Sequence, residues 1–417
     1  MHERLVAHGG KGVSVRALGG GRAGEMRITR FLHNARVTTQ AMMETARQQT
    51  CARAAGRHIL AIQDSSALHV DEKGVGVSFH PVLAVDADTE AVLGLVDNVF
   101  LTRRGGERAS RKQRDFADKD SRRWLAGAEA ASALAEAGAA CVTVIEDREG
   151  DIYECFAFKP AGIEKRVGAA QDRNLKGGGS VFAKAEEWAQ AGRMAVELPA
   201  APGRKARQAE LSVSFGAVEI QRPKSRKASQ GLPEAIRVTL VIGREIAPPE
   251  GEEPARWLLY TTHRVQDIAD ARRIIGFYRR RWIIEQLFRT MKTKGFDVEA
   301  LRQQQGGPLE KLVTAILVAA VTVMQLVAER DGKTGCPLAD ALDPGDRPAL
   351  EATCRGLEGK TAKQKNPHPP GALAWAAWIF ARLGGWTGYY GKPGPIVMLR
   401  GLTQFQAIKH GWSLRNV

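Results

Sequence analysis

Tyr278, Arg281, Glu285 and Lys292, within YRRRWIIEQLFRTMK, are spaced so that a helix would place them together. At 100° per residue they fall within an arc of about 60°. Ile283, Ile284, Leu287, Phe288 and Met291 fall on the other side, as an apolar stripe. One face thus carries a carboxylate flanked by two cations and a phenol. That set suits a phosphate at a metal ion: the acid binds the metal, and the cations and phenol hold phosphate oxygens. An ordinary solvated face with an Arg281–Glu285 pair one turn apart satisfies the same spacing.

Two aspartates extend the pattern. HILAIQ ends at Asp64 and CVTVIED at Asp147, each just past an apolar run of strand type. Strand ends are where an open α/β sheet exposes side chains to a ligand. For an isolated aspartate, a strand-end turn or a helix cap is the commoner explanation, and Asp151 is a candidate cap of this kind. Asp64, Asp147 and Glu285 together would supply the hard oxygens that Mg2+ prefers. Two such ions, about 4 Å apart, can activate the attacking oxygen of a phosphodiester and stabilise the leaving one.

The elements that must position these groups can be read in outline. VSFHPVLAVDA and EAVLGLVDNVFL have strand character, and WLAGAEAASALAEAG reads as a helix before the strand CVTVIED. RMAVELP, AELSVSFGAVEIQRP, AIRVTLVIGREI and ARWLLYTTHRV are β-rich and read as an inserted subdomain. A helical period runs from Ile268 to about Lys294 and a second helix from about Leu309 to Glu329. The expected organisation is a helical region at 1–56, a first core part at 57–177, a β-rich insertion at 178–262, a second core part at 263–332 and a helical region at 333–417. Residues 1–25 look Gly-rich and irregular. GGGRAG fits G-x-G-x-x-G but follows no strand, so it reads as a flexible loop.

Composition sets the class. The chain has 417 residues, enough for two or three domains, and a net charge of +15 from 61 Lys plus Arg against 46 acids. Such an excess suits a polyanionic partner, and charge alone does not separate DNA from RNA, or either from an anionic membrane. The basic stretches Arg103–Arg114 and Arg222–Lys227 are candidate DNA-facing surfaces or solvated loops. The five cysteines are scattered without C-x2-C spacing, and no His cluster completes a zinc motif. A reduced, cytoplasmic chain without a membrane partner is expected. The apolar run Leu312–Val327 reads as a buried helix.

Y-x2-R-x3-E-x6-K at Tyr278, Arg281, Glu285 and Lys292, with DREGD at Asp147–Asp151 and IQDSS around Asp64, resembles the DDE transposases of the insertion-sequence-four type. That group includes the transposon-five enzyme. The late LGGW and PGP-x4-RGL segments are similar as well. The resemblance implies an α/β fold with a ribonuclease-H-like catalytic core, a β-rich insertion before the Glu-bearing helix, and helical N- and C-terminal regions. It implies two Mg2+ or Mn2+ ions on Asp64, Asp147 and Glu285, and terminal phosphates held by Tyr278, Arg281 and Lys292. Trp257 would receive a flipped base, unless it is simply a strand core residue, and Arg173 would contact a strand. Cut-and-paste transposition through a DNA hairpin, by a homodimer bridging two transposon ends, is the implied activity. The helical region before Asp64 is shorter than the family's, which implies reduced end recognition. A non-catalytic DNA-binding regulator and a structure-specific nuclease on the same core are the alternatives.

Overall fold

The computed structural model describes residues 1–10, 12–70, 76–103, 119–200, 204–224, 231–292, 295–301, 306–389 and 391–415. Most of Arg103–Arg114, and residues 225–227 of the second basic stretch, lie outside these. The described residues form a mixed α/β chain in two compact units. One comprises 1–57, 65–105 and 283–417; the other comprises 58–64 and 106–282. The units cut across the five consecutive segments expected from sequence, because strands distant in the chain pair with one another.

The second unit is a sheet with helices. Its strands are β1 (His58–Gln63), β5 (Cys141–Glu146), β6 (Ile163–Gly168), β7 (Gly192–Leu198), β8 (Arg207–Gln221), β9 (Ala235–Ile246) and β10 (Arg256–Thr261). Their order is β1-β5-β6-β10-β9-β8-β7. The first three are parallel and the remainder antiparallel. The strands of the β-rich segment continue this sheet through the β6–β10 pair. The free edge of β6 presents backbone donors and acceptors that need partners, and β10 supplies them. The helices of this unit are α5 (Arg122–Glu136), α6 (Tyr153–Ala157), α7 (Val181–Glu186) and α8 (Ile268–Arg280). Residues 153–157 form α6, and the strand after it, β6, is one that periodicity did not reveal.

The other unit begins with α1 (His2–Ala7), α2 (Val15–Gly19), α3 (Arg22–His33) and α4 (Thr39–Ala54). The first 25 residues are therefore largely helical. GGGRAG is a tight corner: Gly20 is left-handed at φ +66, and a Cβ on Gly24 would lie 2.0 Å from the Gly19 carbonyl oxygen. Only glycines let α2 and α3 meet this closely. The unit continues with β2 (Ser66–Val70), β3 (Gly76–Asp86) and β4 (Val92–Arg103), an antiparallel set. It ends with α9 (Trp282–Met291), which crosses the unit boundary by one residue, then α10 (Gly307–Glu329), α11 (Arg347–Leu357), α12 (Leu373–Leu383) and α13 (Pro395–Arg415).

Among the described residues, α10 alone is long and apolar enough to cross a membrane, and 89% of its apolar window is buried inside the protein. It packs on α1, α3, α4, α12, α13 and β4 as a core helix. The buried Lys311 on it donates to the carbonyls of Leu32 and Asn34, both at 2.9 Å, at the end of α3. A cation there complements the helix dipole.

LGGW and RGL acquire a packing role here. A Cβ on Gly384 would lie 2.0 Å from the carbonyl oxygen of Val397, and one on Gly401 would lie 1.8 Å from that of Phe380. These glycines let α12 and α13 pack backbone to backbone. Gly401→Ala must push the helices apart, at a cost of about 1–3 kcal/mol. A fall in urea midpoint without a change in slope checks this.

Candidate functional site

Asp64 and Asp147 leave the carboxyl ends of β1 and β5, which are hydrogen-bonded parallel neighbours with Ile62 opposite Ile145. Strands lie about 4.8 Å apart, so adjacent chain exits place these aspartates side by side along the sheet edge. The residues just before them fix the facing. The Gln63 side-chain amide donates to the Glu146 carboxylate at 2.7 Å. Gln63 and Glu146 thus share one face, and alternation turns the next positions toward the other.

Beneath the site the sheet is polar and dry. Glu146 and Lys165 form an ion pair of 2.6 Å with both side chains fully buried. Burial raises the Glu146 carboxyl above its ordinary value, and Lys165 opposes that rise. A Cβ on Gly150 would lie 2.4 Å from a Glu146 carboxylate oxygen. The glycine of DREGD therefore leaves room for this pair.

Arg166, the next residue of β6, faces the opposite way, toward the aspartates, because strand neighbours alternate. Its guanidinium donates to the carbonyl of Glu146 at 2.8 Å and lies 4.1 Å from the ring centre of Tyr278. The side chain is fully buried, and Nε and Nη2 have no hydrogen-bond partner among the described residues. Burial lowers its pKa to about 9, with the nearby Tyr278 opposing, so it stays cationic at neutral pH. Arg166 escaped the sequence reading. The available signal was Glu164-Lys165-Arg166 lying between Ile163 and Val167: three adjacent charges flanked by apolar residues.

Tyr278 lies in the last turn of α8, half-buried, with its ring edge-on to Trp257 at 5.4 Å. Trp257 is a half-buried residue of β10, opposite Gly243 of β9. Arg281 closes α8 and donates to Asp64 Oδ2 at 2.8 Å, with each side chain 17% exposed. Asp64, Asp147, Arg166, Trp257, Tyr278 and Arg281 all belong to the same unit.

The segment read as one helix is two, α8 and α9, which meet at Arg281. Arg281 keeps helical angles, φ −53 and ψ −30, but its amide bonds to Tyr278, three residues back. Glu285 and Lys292 belong to the other unit. Glu285 is half-buried in the first turn of α9, and Lys292 pairs with Glu299 at 2.9 Å. The expected apolar stripe is buried at Ile284, Leu287, Phe288 and Met291, while Ile283 is half-buried.

Asp147 is also a cap. Its Oδ1 accepts from the Glu149 amide at 2.7 Å, opening a single 3-10 turn at Arg148–Gly150. This directs the chain away from the strand and fixes the carboxylate. Asp151 is more than the expected cap. It accepts from the amides of Ala170 and Gln171 at 2.8 and 3.0 Å and from Arg173 at 2.6 and 3.0 Å.

Arg173, expected to contact a DNA strand, is turned inward in this structure. It is buried and spends its guanidinium on Asp151, including the Asp151 carbonyl at 2.7 Å. Arg222, in the second basic stretch, donates to the Leu232 carbonyl at 2.7 Å, whereas Lys224 is exposed.

Residues 169–322 match the family of the transposase DDE domain. The match, over less than half of the chain, supports a DDE transposase. The matched transposase segment contains Trp257, Tyr278, Arg281, Glu285 and Lys292. Asp64 and Asp147 lie outside it, and their case rests on the strand geometry above.

Proposed function

We propose that this chain is a DNA transposase whose site is Asp64, Asp147 and Glu285, served by Arg166, Tyr278, Arg281 and Lys292. The observation that carries the reading is the exit of Asp64 and Asp147 from adjacent parallel strands, with Arg281 bound to Asp64. Glu285, four residues beyond Arg281, is the third carboxylate in this reading.

The donor set fits Mg2+ or Mn2+. Asp64 and Asp147 offer hard carboxylate oxygens, and Asp147 commits only Oδ1 to its cap. The Arg281 guanidinium on Asp64 also shows that the carboxylate accepts a cation at this point. Asp64, Asp147 and Glu285 would hold the ions. Two bound ions supply activation of the attacking oxygen and stabilisation of the leaving one.

The chain's own groups then have separable tasks. Arg281 exchanges Asp64 for a phosphate oxygen as substrate enters, since a planar guanidinium suits either partner. Tyr278 donates its hydroxyl to the same phosphate, with its ring held between Arg166 and Trp257. Arg166 adds fixed positive potential from below, undiminished by solvent. Lys292 exchanges Glu299 for a phosphate. Hydrolysis at the element's end, hairpin formation, hairpin opening and joining to target are all in-line displacements at phosphorus, so one site serves all four. The ribonuclease-H-like core and the end-bridging homodimer belong to this proposal.

The test is incubation of the purified chain with a plasmid carrying the DNA that flanks its reading frame. Nicking, hairpins and joined products that need Mg2+ or Mn2+ are expected. Nicks without joined products would mark a nuclease, and binding without cleavage a regulator. Trp257→Ala should lose about 1–3 kcal/mol of base stacking. Hairpin yield should then fall more than first-strand nicking. Equal loss of both would remove the flipped-base role and leave Trp257 as packing for Tyr278.

A further inference from the structure

Three residues far apart in the chain converge at the other edge of the same sheet. His58 and Cys141 open β1 and β5 and face each other in register. His263 follows β10 by two residues. The thiol and one nitrogen of each imidazole all lie within 4.8 Å of one another. The Thr143 hydroxyl, two residues on from Cys141 and on its face of the strand, stands 2.8 Å from His58 Nε2 and 2.7 Å from His263 Nε2. We propose that His58, Cys141 and His263 form a site for a Zn2+-type cation, distinct from the carboxylate site.

The chemistry follows from the donor types. Two imidazoles and a thiolate suit zinc and its neighbours over Mg2+ or Ca2+. With bonds of about 2.0 Å to nitrogen and 2.3 Å to sulfur, tetrahedral ligand atoms sit roughly 3.3–3.6 Å apart. Rotation of the two rings closes the remaining gap of about an ångström. The fourth position is open to water or to Glu164, which already accepts from Thr262 beside His263. Phe277 packs edge-on to His58 at 5.1 Å and lies 6.0 Å from His263, giving the site an apolar wall.

The surrounding groups support this reading. The Thr143 hydroxyl holds both imidazoles beside the Cys141 position. Glu164 favours a cation here and Arg273 opposes it. The cysteine and histidine spacing predicted no zinc motif, because the ligands are brought together by strand register and not by a local sequence pattern.

The site lies about 20 Å from the aspartates, the length of a six-residue strand. It ties the segment leading into α8 to β1 and β5. That helix ends at Tyr278 and Arg281, so a bound ion fixes the base of the element that carries them.

Co2+ titration of the untagged, metal-stripped chain tests this. One equivalent should give a thiolate-to-cobalt charge-transfer band and tetrahedral visible bands. Zn2+ should displace it and excess Mg2+ should not. Cys141→Ser should abolish the charge-transfer band, and Thr143→Val should weaken binding about 10- to 100-fold. Zn2+ should also protect Cys141 of the unaltered chain from iodoacetamide, read by peptide mass, which needs no variant to fold. No band in the unaltered chain, a band that survives Cys141→Ser, or alkylation of Cys141 indifferent to Zn2+ would each overturn the site.

Discussion

Asp64→Asn and Asp147→Asn should each lower metal-dependent strand cleavage by at least about 10³-fold, the several kcal/mol that metal-held charge contributes to the displacement. DNA affinity should be unchanged or higher, because each change removes one negative charge from a protein that binds a polyanion in the proposed reading. The amide is nearly isosteric with the carboxylate. In Asp147→Asn the new side-chain oxygen can still accept from the Glu149 amide, so the 3-10 turn survives. Asp64→Asn loses the ion pair with Arg281, which is partly exposed and costs about 1 kcal/mol or less. The loss therefore falls on chemistry and not on folding. Glu285→Gln should match the other two, and wild-type-like cleavage by any of the three would end the assignment of that residue.

A third strand-end aspartate supplies the contrast. Asp86 closes β3, and its carboxylate accepts from the amides of Asp88 and Thr89 at 2.8 and 2.9 Å and from Arg57 at 2.9 Å. It is a buried turn-former with its oxygens committed. Asp86→Asn should lower thermal stability while the remaining folded protein cleaves at the normal rate. An equal loss of cleavage from all three aspartates would mean that strand-end position alone, and not the shared edge of β1 and β5, explains the effect.

These aspartates mark the limit of what the sequence could convey. An apolar run ending in Asp identifies a strand end, but not whether the next strand in space also ends in Asp. That depends on the pairing of β1 with β5, some eighty residues later. The strands with clear alternation or continuous apolar runs, β1, β3, β4, β5 and β7 to β10, were legible. β6 was not, because Lys165 and Arg166 interrupt its pattern. Their charges are acceptable there only because Glu146 and the ring of Tyr278 meet them, and both partners are tertiary. The Tyr-Arg-Glu-Lys spacing hid the break at Arg281, since one residue bonding to position i−3 leaves the apolar period almost intact. The N-terminal glycines misled for the opposite reason. Their composition signals a loop, whereas the physical need is a close helix crossing.

Arg173 gives the second large effect, and it falls on stability. Arg173→Ala should destabilise the fold by about 3–5 kcal/mol, because it leaves the Asp151 carboxylate buried without its counter-charge. Two backbone amides still serve that carboxylate, but they do not neutralise it. A urea titration measures the loss. Cleavage per folded molecule should stay near normal, since the guanidinium is turned inward. Replacing both partners, as in Asp151→Asn with Arg173→Met, should recover most of the loss, because removing a buried pair together avoids the stranded charge. If Arg173→Ala instead kept full stability and weakened DNA binding, the inward pairing would have to give way when DNA binds. Arg173 would then return to the set of strand-contacting residues. The two outcomes differ in which measurement moves: the unfolding midpoint for a buried partner of Asp151, the salt dependence of binding for a phosphate contact.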